Sequence, residues 1–333
     1  MSISMAVCKQ VHPLVSFPPS PITTESFNGW RRKEKVVVVM GATGTGKSRL
    51  SIDLATRFPA EIINSDKMQV YEELDIATNK VTKEERRGIP HHLLGVVDPE
   101  DEFTADDFRH HASLAVDSIV KKNRLPIIVG GSNSYIQALV DDEELRFRSK
   151  YECCFLWVDV ALPVLHSFVS DRVDQMIKAG LLDEVRRMFK TDGDYTRGIR
   201  RAIGVPEMDQ FFRMEATSDE QTRVELLKQA INDIKLNNCN LACRQRQKIL
   251  RLRGLPGWNM HRIDATDVLL TRGRNANEAW EKYVARPSAM IAGQFLFDNE
   301  YYTPATATTT TIATPAAVAS MAVMGTSVAA VTH

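Results

Sequence analysis

The sequence has no surplus charge of either sign: its 333 residues carry 42 Lys and Arg against 42 Asp and Glu, a formal net charge of zero. This removes a whole-molecule electrostatic case for nucleic-acid binding, so any phosphate site must be a local feature. Long apolar runs are also missing. A pure stretch such as Val36 to Met40 is far short of the roughly 18 residues that crossing a bilayer requires, and no membrane partner is expected. Cysteine is scarce. The five, Cys8, Cys153, Cys154, Cys239 and Cys243, form an odd set without the spacing of a disulfide scaffold, which implies reducing surroundings. Cys239 and Cys243 have only His261 nearby as a further ligand, one short of a tetrahedral zinc site, and read as two small side chains on a helix.

Charge is also thin at both ends of the chain. Residues 1–30 hold one acid, Glu25, and one base, Lys9, among seven Ser and Thr hydroxyls and four prolines. No packed core can form from that composition. Residues 1–33 read as a leader of the organellar transit type, plastid more than mitochondrial because arginine enters only at Arg31 and Arg32; the alternative is a plain disordered terminus on a cytoplasmic protein. Tyr301 to Thr332 has no charge at all, and the Thr/Ala-rich tail over 301–333 is expected to be disordered.

Between them, residues 34–300 show a repeated pattern of strand, glycine turn and helix. Val36 to Val39 is a continuous β-branched run, the signature of a strand covered on both faces in a parallel sheet. Glu61 to Asn64, Leu125 to Val129 and Phe155 to Val160 are the other strand candidates, each separated by enough chain for a crossover helix. The expected fold is α/β: a parallel sheet flanked by helices, of the P-loop NTPase type by the glycine motif Gly41 to Ser48 that follows the first strand. Val164 to Phe189 and Glu220 to Leu252 have the apolar spacing of long helices. A small helical lid over roughly 164–220, followed by a closing helix, is expected.

Gly41-Ala42-Thr43-Gly44-Thr45-Gly46-Lys47-Ser48 fits G-x-x-x-x-G-K-[ST] and lies between the buried strand and the helical stretch from Arg49 to Phe58. Its glycines let successive amides turn inward as an anion nest at a helix N-terminus. Lys47 adds a point charge, and the Ser48 hydroxyl is a ligand for magnesium. A di- or triphosphate is therefore expected here, and the companion motifs narrow its identity. A GTPase needs Asn-Lys-x-Asp, but Asn79-Lys80 is followed by Val81-Thr82; a motor ATPase needs an acid ending a hydrophobic strand, but Leu125 to Val129 ends in Gly130-Gly131-Ser132. Asp66 ends the second strand, facing the crevice where open α/β sheets bind ligands, and is either a base or a helix N-cap.

These segments occur in a familiar order: the loop Gly41 to Ser48, Asn64 to Tyr71, Asp75 to Lys80, Gly88 to Gly95, Ile127 to Tyr135, Arg172 to Met176, Gly180 to Val185, Ile199 to Gly204, and Arg244 to Lys248. Together they resemble the isopentenyltransferases that prenylate adenine, over residues 35 to 255, and most of all the plant adenylate isopentenyltransferases that begin cytokinin synthesis. The resemblance implies that dimethylallyl diphosphate lies with its diphosphate on Gly41 to Ser48, aided by Lys47 and by Mg²⁺ on Ser48. It implies that Asp66 accepts a hydrogen bond and then a proton from the exocyclic 6-amino group of adenine. Ser132 stands where bacterial tRNA-modifying relatives carry Thr, and its hydroxyl is assigned to the leaving oxygen. Arg200 or Arg201, in a loop flanked by glycines, is expected to close over the diphosphate.

The acceptor side is read from charge. From Ile234 to Ile263 there is no acid, while Lys235, Arg244, Arg246, Lys248, Arg251, Arg253 and Arg262 are basic. Arg244 and Lys248, at i and i+4, are read as a clamp for nucleotide phosphates, the alternative being a solvated basic face; Lys228 is a further candidate. The expected acceptors are free ATP and ADP ahead of AMP, without tRNA, because the chain is neutral and has no cysteine after 255 for the zinc finger that eukaryotic tRNA-modifying relatives carry. The alternatives are a tRNA dimethylallyltransferase and a P-loop small-molecule kinase. A monomer is expected. His91-His92 resembles a metal pair, but adjacent residues rarely share a face, and in the resembling family this stretch is a structural turn.

Overall fold

The structure is a computed structural model that describes residues 33–297 apart from 272 and 274. The tail reading and, Lys33 aside, the leader reading fall outside these residues. The strand β1 (Glu34–Gly41) is the β-branched run, and Val36 to Val39 are fully shielded. Successive strand side chains point to opposite faces. Val36 and Val38 accordingly join one apolar layer, with Phe108, Val116 and Leu139, while Val37 and Val39 join the other, with Leu50, Leu54 and Leu165. A strand with helices on both faces needs apolar residues at every position, which the continuous run supplies.

Five further strands complete the sheet: β2 (Ala60–Asn64), β3 (His91–His92), β4 (Leu125–Gly130), β5 (Tyr151–Asp159) and β6 (Met260–Asp264). Their order is β3-β2-β4-β1-β5-β6, and every neighbouring pair is parallel, as the α/β reading requires. The helices are α1 (Lys47–Arg57), α2 (Ala105–Lys121), α3 (Asn133–Val140), α4 (Phe147–Lys150), α5 (Leu162–Lys178), α6 (Leu181–Met188), α7 (Asp209–Met214), α8 (Glu220–Arg253), α9 (Thr266–Leu270), α10 (Asn275–Trp280) and α11 (Arg286–Phe297). A π-helical turn, Glu281–Ala285, joins the last two. No helix among the described residues is long and apolar enough to cross a membrane.

Two expectations need correction. The helix read as continuous from Val164 to Phe189 is two helices, α5 and α6, because Gly180 adopts the left-handed conformation (φ 103°) that ends one helix and starts the next direction. The edge strands β3 and β6 were not expected: β3 is only two residues long, and in β6 only Ile263 is buried, so neither shows a periodic apolar signal. The long helix α8 matches its expected span to within one residue. Its Ile234, Ile249 and Leu252 join one apolar layer and its Ala242 the other, so a single helix ties both sides of the sheet together.

This topology places the site. Neighbouring parallel strands lie about 5 Å apart, and β2, β4 and β1 are consecutive across the sheet. Their C-terminal ends, carrying Asp66, Ser132 and the glycine loop, therefore line up along one edge. The chain leaves β1 towards β2 on one side and later returns to β5 on the other, which makes this edge the crevice where open α/β sheets bind ligands.

Candidate active site

The loop after β1 is held by its own side chains. Thr45 Oγ1 donates to the Ala42 carbonyl at 2.9 Å, and Lys47 Nζ donates to the same carbonyl at 2.8 Å. Gly46 caps α1 in the left-handed region (φ 90°), and the ring of Trp280 lies 2.7 Å from where a Cβ would stand, so only glycine fits there. Desolvation pushes Lys47 down to about 8; the nearby Asp66 carboxylate opposes the shift and the Arg172 guanidinium adds to it. That coupling brings the ends of β1 and β2 and helix α5 into one electrostatic neighbourhood.

Asp66 is not a helix N-cap. The residues after it form turns, and the Met68 amide donates to Asp66 Oδ1 at 2.9 Å, an Asx turn that fixes the carboxylate. Asn64 supports the same turn: its Oδ1 accepts from the Asp66 amide at 3.2 Å and its Nδ2 donates to the Asp66 and Leu93 carbonyls. Oδ2 of Asp66 has no hydrogen-bond partner among the described residues. Ser132 Oγ accepts from the Lys67 amide at 3.0 Å, which ties the end of β4 to the end of β2 and leaves the hydroxyl proton to donate elsewhere.

Two residues here were given no role by the sequence. Arg172 on α5 donates to Thr43 Oγ1 at 2.8 Å, and its buried Nε has no partner among the described residues. Burial pushes its guanidinium down to about 10, with Asp66 opposing the shift. Gln245 on α8 accepts from the Thr43 amide at 2.7 Å through Oε1, while its backbone carbonyl accepts from Asn133 Nδ2 at 3.1 Å. The loop is thus gripped from two helices. The sequence does carry a signal for Arg172: it sits in the stripe of Leu165, Val169, Val173 and Met176, a charge where the helical period calls for an apolar residue.

The lid arginines divide differently from the expectation. Arg200 is buried, with its guanidinium bound to the Met188 carbonyl (3.0 Å) and to Glu100 (2.6 Å), so its donors serve the fold and do not close over a diphosphate. Arg201 instead reaches the hydroxyl of Tyr71 at 3.3 Å. That tyrosine lies in the segment following Asp66. Beside it, desolvation together with the Tyr71 neighbour pushes Tyr135 up to about 12.

On α8, Arg246 is committed to Asp159 at 3.0 Å and Lys235 to Asp174 at 2.6 Å, and Arg253 lies over the Trp157 ring. Arg262 of β6 also binds Asp159, at 2.8 Å. Arg244 and Lys248, one turn apart, have no hydrogen-bond or ion-pair partner among the described residues. Lys228 does not share their position. The helix is unbroken from Glu220 to Arg253, so at 1.5 Å per residue Lys228 lies roughly 24 Å from Arg244 along the axis, farther than one phosphate chain spans.

His91 and His92 form the edge strand β3. His92 Nε2 lies 2.7 Å from Glu61 and His91 Nδ1 2.8 Å from the Ile89 carbonyl, a structural arrangement. No group of three or more His, Cys, Asp or Glu suited to a metal occurs among the described residues.

Comparison with known proteins finds relatives over most of the chain. The family model described as IPP transferase matches residues 69–150 and 141–249. An adenylate isopentenyltransferase of Arabidopsis thaliana, isoform 5, chloroplastic, is 63% identical over 80% of this chain and 82% of its own length. Isoform 3 of the same plant, also chloroplastic, is 54% identical over 94% and 96%. Among solved structures, a eukaryotic dimethylallyltransferase acting on tRNA superposes with a TM-score of 0.67 at 25% identity, covering 80% of each chain.

Proposed function

The chain belongs to the IPP transferase family, and from that premise we propose how its site works. It transfers the dimethylallyl group of dimethylallyl diphosphate to the exocyclic 6-amino group of adenine nucleotides, with release of pyrophosphate, the step that begins cytokinin synthesis. The observation that carries the residue assignment is the Asp66 carboxylate, fixed by its Asx turn with Oδ2 unpartnered, in the electrostatic neighbourhood of Lys47 and Arg172.

In this reading the diphosphate lies on the amides of Gly41 to Ser48, between Lys47 and Arg172. Oδ2 of Asp66 accepts a hydrogen bond from the 6-amino group, whose lone pair is otherwise delocalised into the ring. As nitrogen bonds to C1 of the dimethylallyl group, the C1–O bond to diphosphate breaks and the amine proton passes to Asp66. Lys47, Arg172 and the loop amides take up the charge growing on the departing pyrophosphate, and the Ser132 hydroxyl donates to its bridging oxygen.

The Ser48 hydroxyl makes no hydrogen bond with another described residue, and no carboxylate cluster lies near it. That donor set suits magnesium, which binds through few protein ligands together with substrate phosphates and waters, and it does not suit a permanently resident ion. Ser48 would hold it, and when bound it neutralises diphosphate charge.

The test supplies the protein with dimethylallyl diphosphate, Mg²⁺ and ATP. The expected products are pyrophosphate and a nucleotide carrying a dimethylallyl group on its 6-amino nitrogen. Phosphate transfer from ATP without a prenylated base would favour a kinase and overturn the assignment. We further propose delivery to plastids by the leader, in line with the Ser-rich, acid-poor composition of residues 1–33 and with the chloroplastic relatives. Residues 1–33 fused to a fluorescent reporter should carry it into plastids; a diffuse cytosolic signal would refute this.

A further inference from the structure

The seam between α5 and α8 holds chemistry that prenyl transfer does not use. Cys243 Sγ on α8 lies 3.2 Å from His166 Nε2 on α5. One helical turn earlier, Cys239 Sγ lies 3.9 Å from Ser170 Oγ and 3.8 Å from the His166 carbonyl. Both thiols and the imidazole are half-buried, within reach of small solutes. The strand cysteines are different: burial pushes the Cys153 and Cys154 thiols up to about 12, which leaves them inert. A thiol with an imidazole nitrogen at 3.2 Å is within the distance at which a general base takes a proton from an attacking nucleophile. In the tautomer protonated at Nδ1, Nε2 is the acceptor.

The seam also adjoins the donor loop. Gln245, which accepts from the Thr43 amide, is two residues beyond Cys243. Arg172, which donates to the Thr43 hydroxyl, is six residues beyond His166. Leu165, the residue before His166, and Val169 pack against Gly44 of the loop. A group added between Cys243 and His166 therefore acts on both helices that hold Thr43.

We propose that Cys243 is a peroxide-reactive thiol, deprotonated by His166, whose oxidation to the sulfenic acid loosens the donor site. His166 Nε2 takes the thiol proton as sulfur attacks one oxygen of hydrogen peroxide. An S–O bond forms and the O–O bond breaks; sulfur loses two electrons and the two peroxide oxygens gain one each. The departing hydroxide recovers the proton from His166 and leaves as water. The added oxygen occupies the seam, displaces the imidazole from sulfur and parts the helices, so Gln245 and Arg172 no longer hold Thr43 together. This regulation rests on the reading that Thr43 belongs to the donor-binding loop. A thiol reductant reverses it.

The experiment treats the reduced full-length protein with hydrogen peroxide, traps sulfenic acid with dimedone in one portion and maps it by peptide mass spectrometry. Donor KM and kcat are measured in a second, untrapped portion. The adduct is expected on Cys243, with a several-fold rise in donor KM that dithiothreitol reverses. Cys243→Ser should keep its activity and lose the peroxide response. His166→Gln, with Cys243 still in place, should slow adduct formation by roughly tenfold or more. Trapping at Cys239 or at the strand cysteines, an unchanged rate in His166→Gln, or a stoichiometric Cys243 adduct with unaltered donor KM would each overturn the proposal. An adduct on Cys243 in a protein that transfers no prenyl group in either state would instead refute the functional reading while supporting the thiol chemistry.

Discussion

At the scale of single residues, the site depends on groups held by short local turns. Asp66 uses one oxygen to fix its own orientation and leaves the other without a partner among the described residues; in the reaction proposed above, positioning and proton acceptance would then reside in one side chain. Asp66→Asn retains an oxygen for the Met68 amide but cannot take a proton. Turnover should fall by roughly 10²-fold or more while donor binding survives, which steady-state kinetics and direct donor binding will separate. Lys47 gives a pH prediction with a definite sign. Desolvation lowers it to about 8, so it is charged at pH 7 and loses its proton as pH rises through 8. The bound diphosphate favours the charged form and raises that value, so donor affinity should be flat below pH 8 and fall above it. Lys47→Arg, which stays charged, should lose this dependence even if it binds less tightly; an affinity of the wild type that is constant from pH 7 to 9.5 would show that Lys47 does not contact the diphosphate.

At the scale of elements, the loop is buttressed from behind by a segment outside the region matched by the family model. Trp280, ending α10, is buried against Gly46, donates from Nε1 to Asp53 at 2.7 Å and carries the Arg49 guanidinium 4.5 Å from its ring. Trp280→Ala removes a large buried ring, a change that costs about 3–5 kcal/mol in stability, and it frees the loop at Gly46. Denaturation should show the loss, and donor KM should rise with it; a less stable protein with unaltered donor KM would mean that the ring supports the fold without shaping the loop. The elements visible in the sequence were those with a long signal of their own: β1, β2, β4 and β5, the α8 pattern, and the glycine loop between β1 and α1. Two-residue β3 and the largely exposed β6 had none, and the break at Gly180 was hidden by apolar spacing that continues from α5 into α6. The candidate site was legible at Asp66 and the loop because the features that single them out, a strand end and a glycine motif, are local. Arg172 and Gln245 acquire theirs from contacts with Thr43 across 129 and 202 residues, which only the packing of α5 and α8 on the loop creates. Arg200 illustrates the converse, a basic residue in a promising loop whose charge is taken up by Glu100.

At the scale of the whole molecule, the question is how a neutral chain holds a polyanionic acceptor. Of the seven bases between residues 234 and 263, Lys235, Arg246 and Arg262 are neutralised by carboxylates and Arg253 lies over Trp157. Among the described residues, that leaves Arg244, Lys248 and Arg251 without partners, all within about two turns of α8. So compact a surplus matches the phosphates of one nucleotide. A tRNA stem spreads its charge over many phosphates, and a protein that holds one shows steeply salt-dependent binding; the target base must also be flipped from its stack. With ATP, AMP and unmodified tRNA supplied together, label from the donor should therefore appear on the free nucleotides, with little change between low and physiological salt. A hydrogen bond to a charged phosphate contributes about 1.5–3 kcal/mol, so losing one weakens binding roughly tenfold or more. The pair Arg244→Ala and Lys248→Ala should accordingly raise the KM for ATP by that factor and the KM for AMP by less, because AMP lacks the outer phosphates. Equal effects on ATP and AMP would assign both side chains to the α-phosphate or to the solvent face, and label mainly on tRNA would assign them to a nucleic-acid surface.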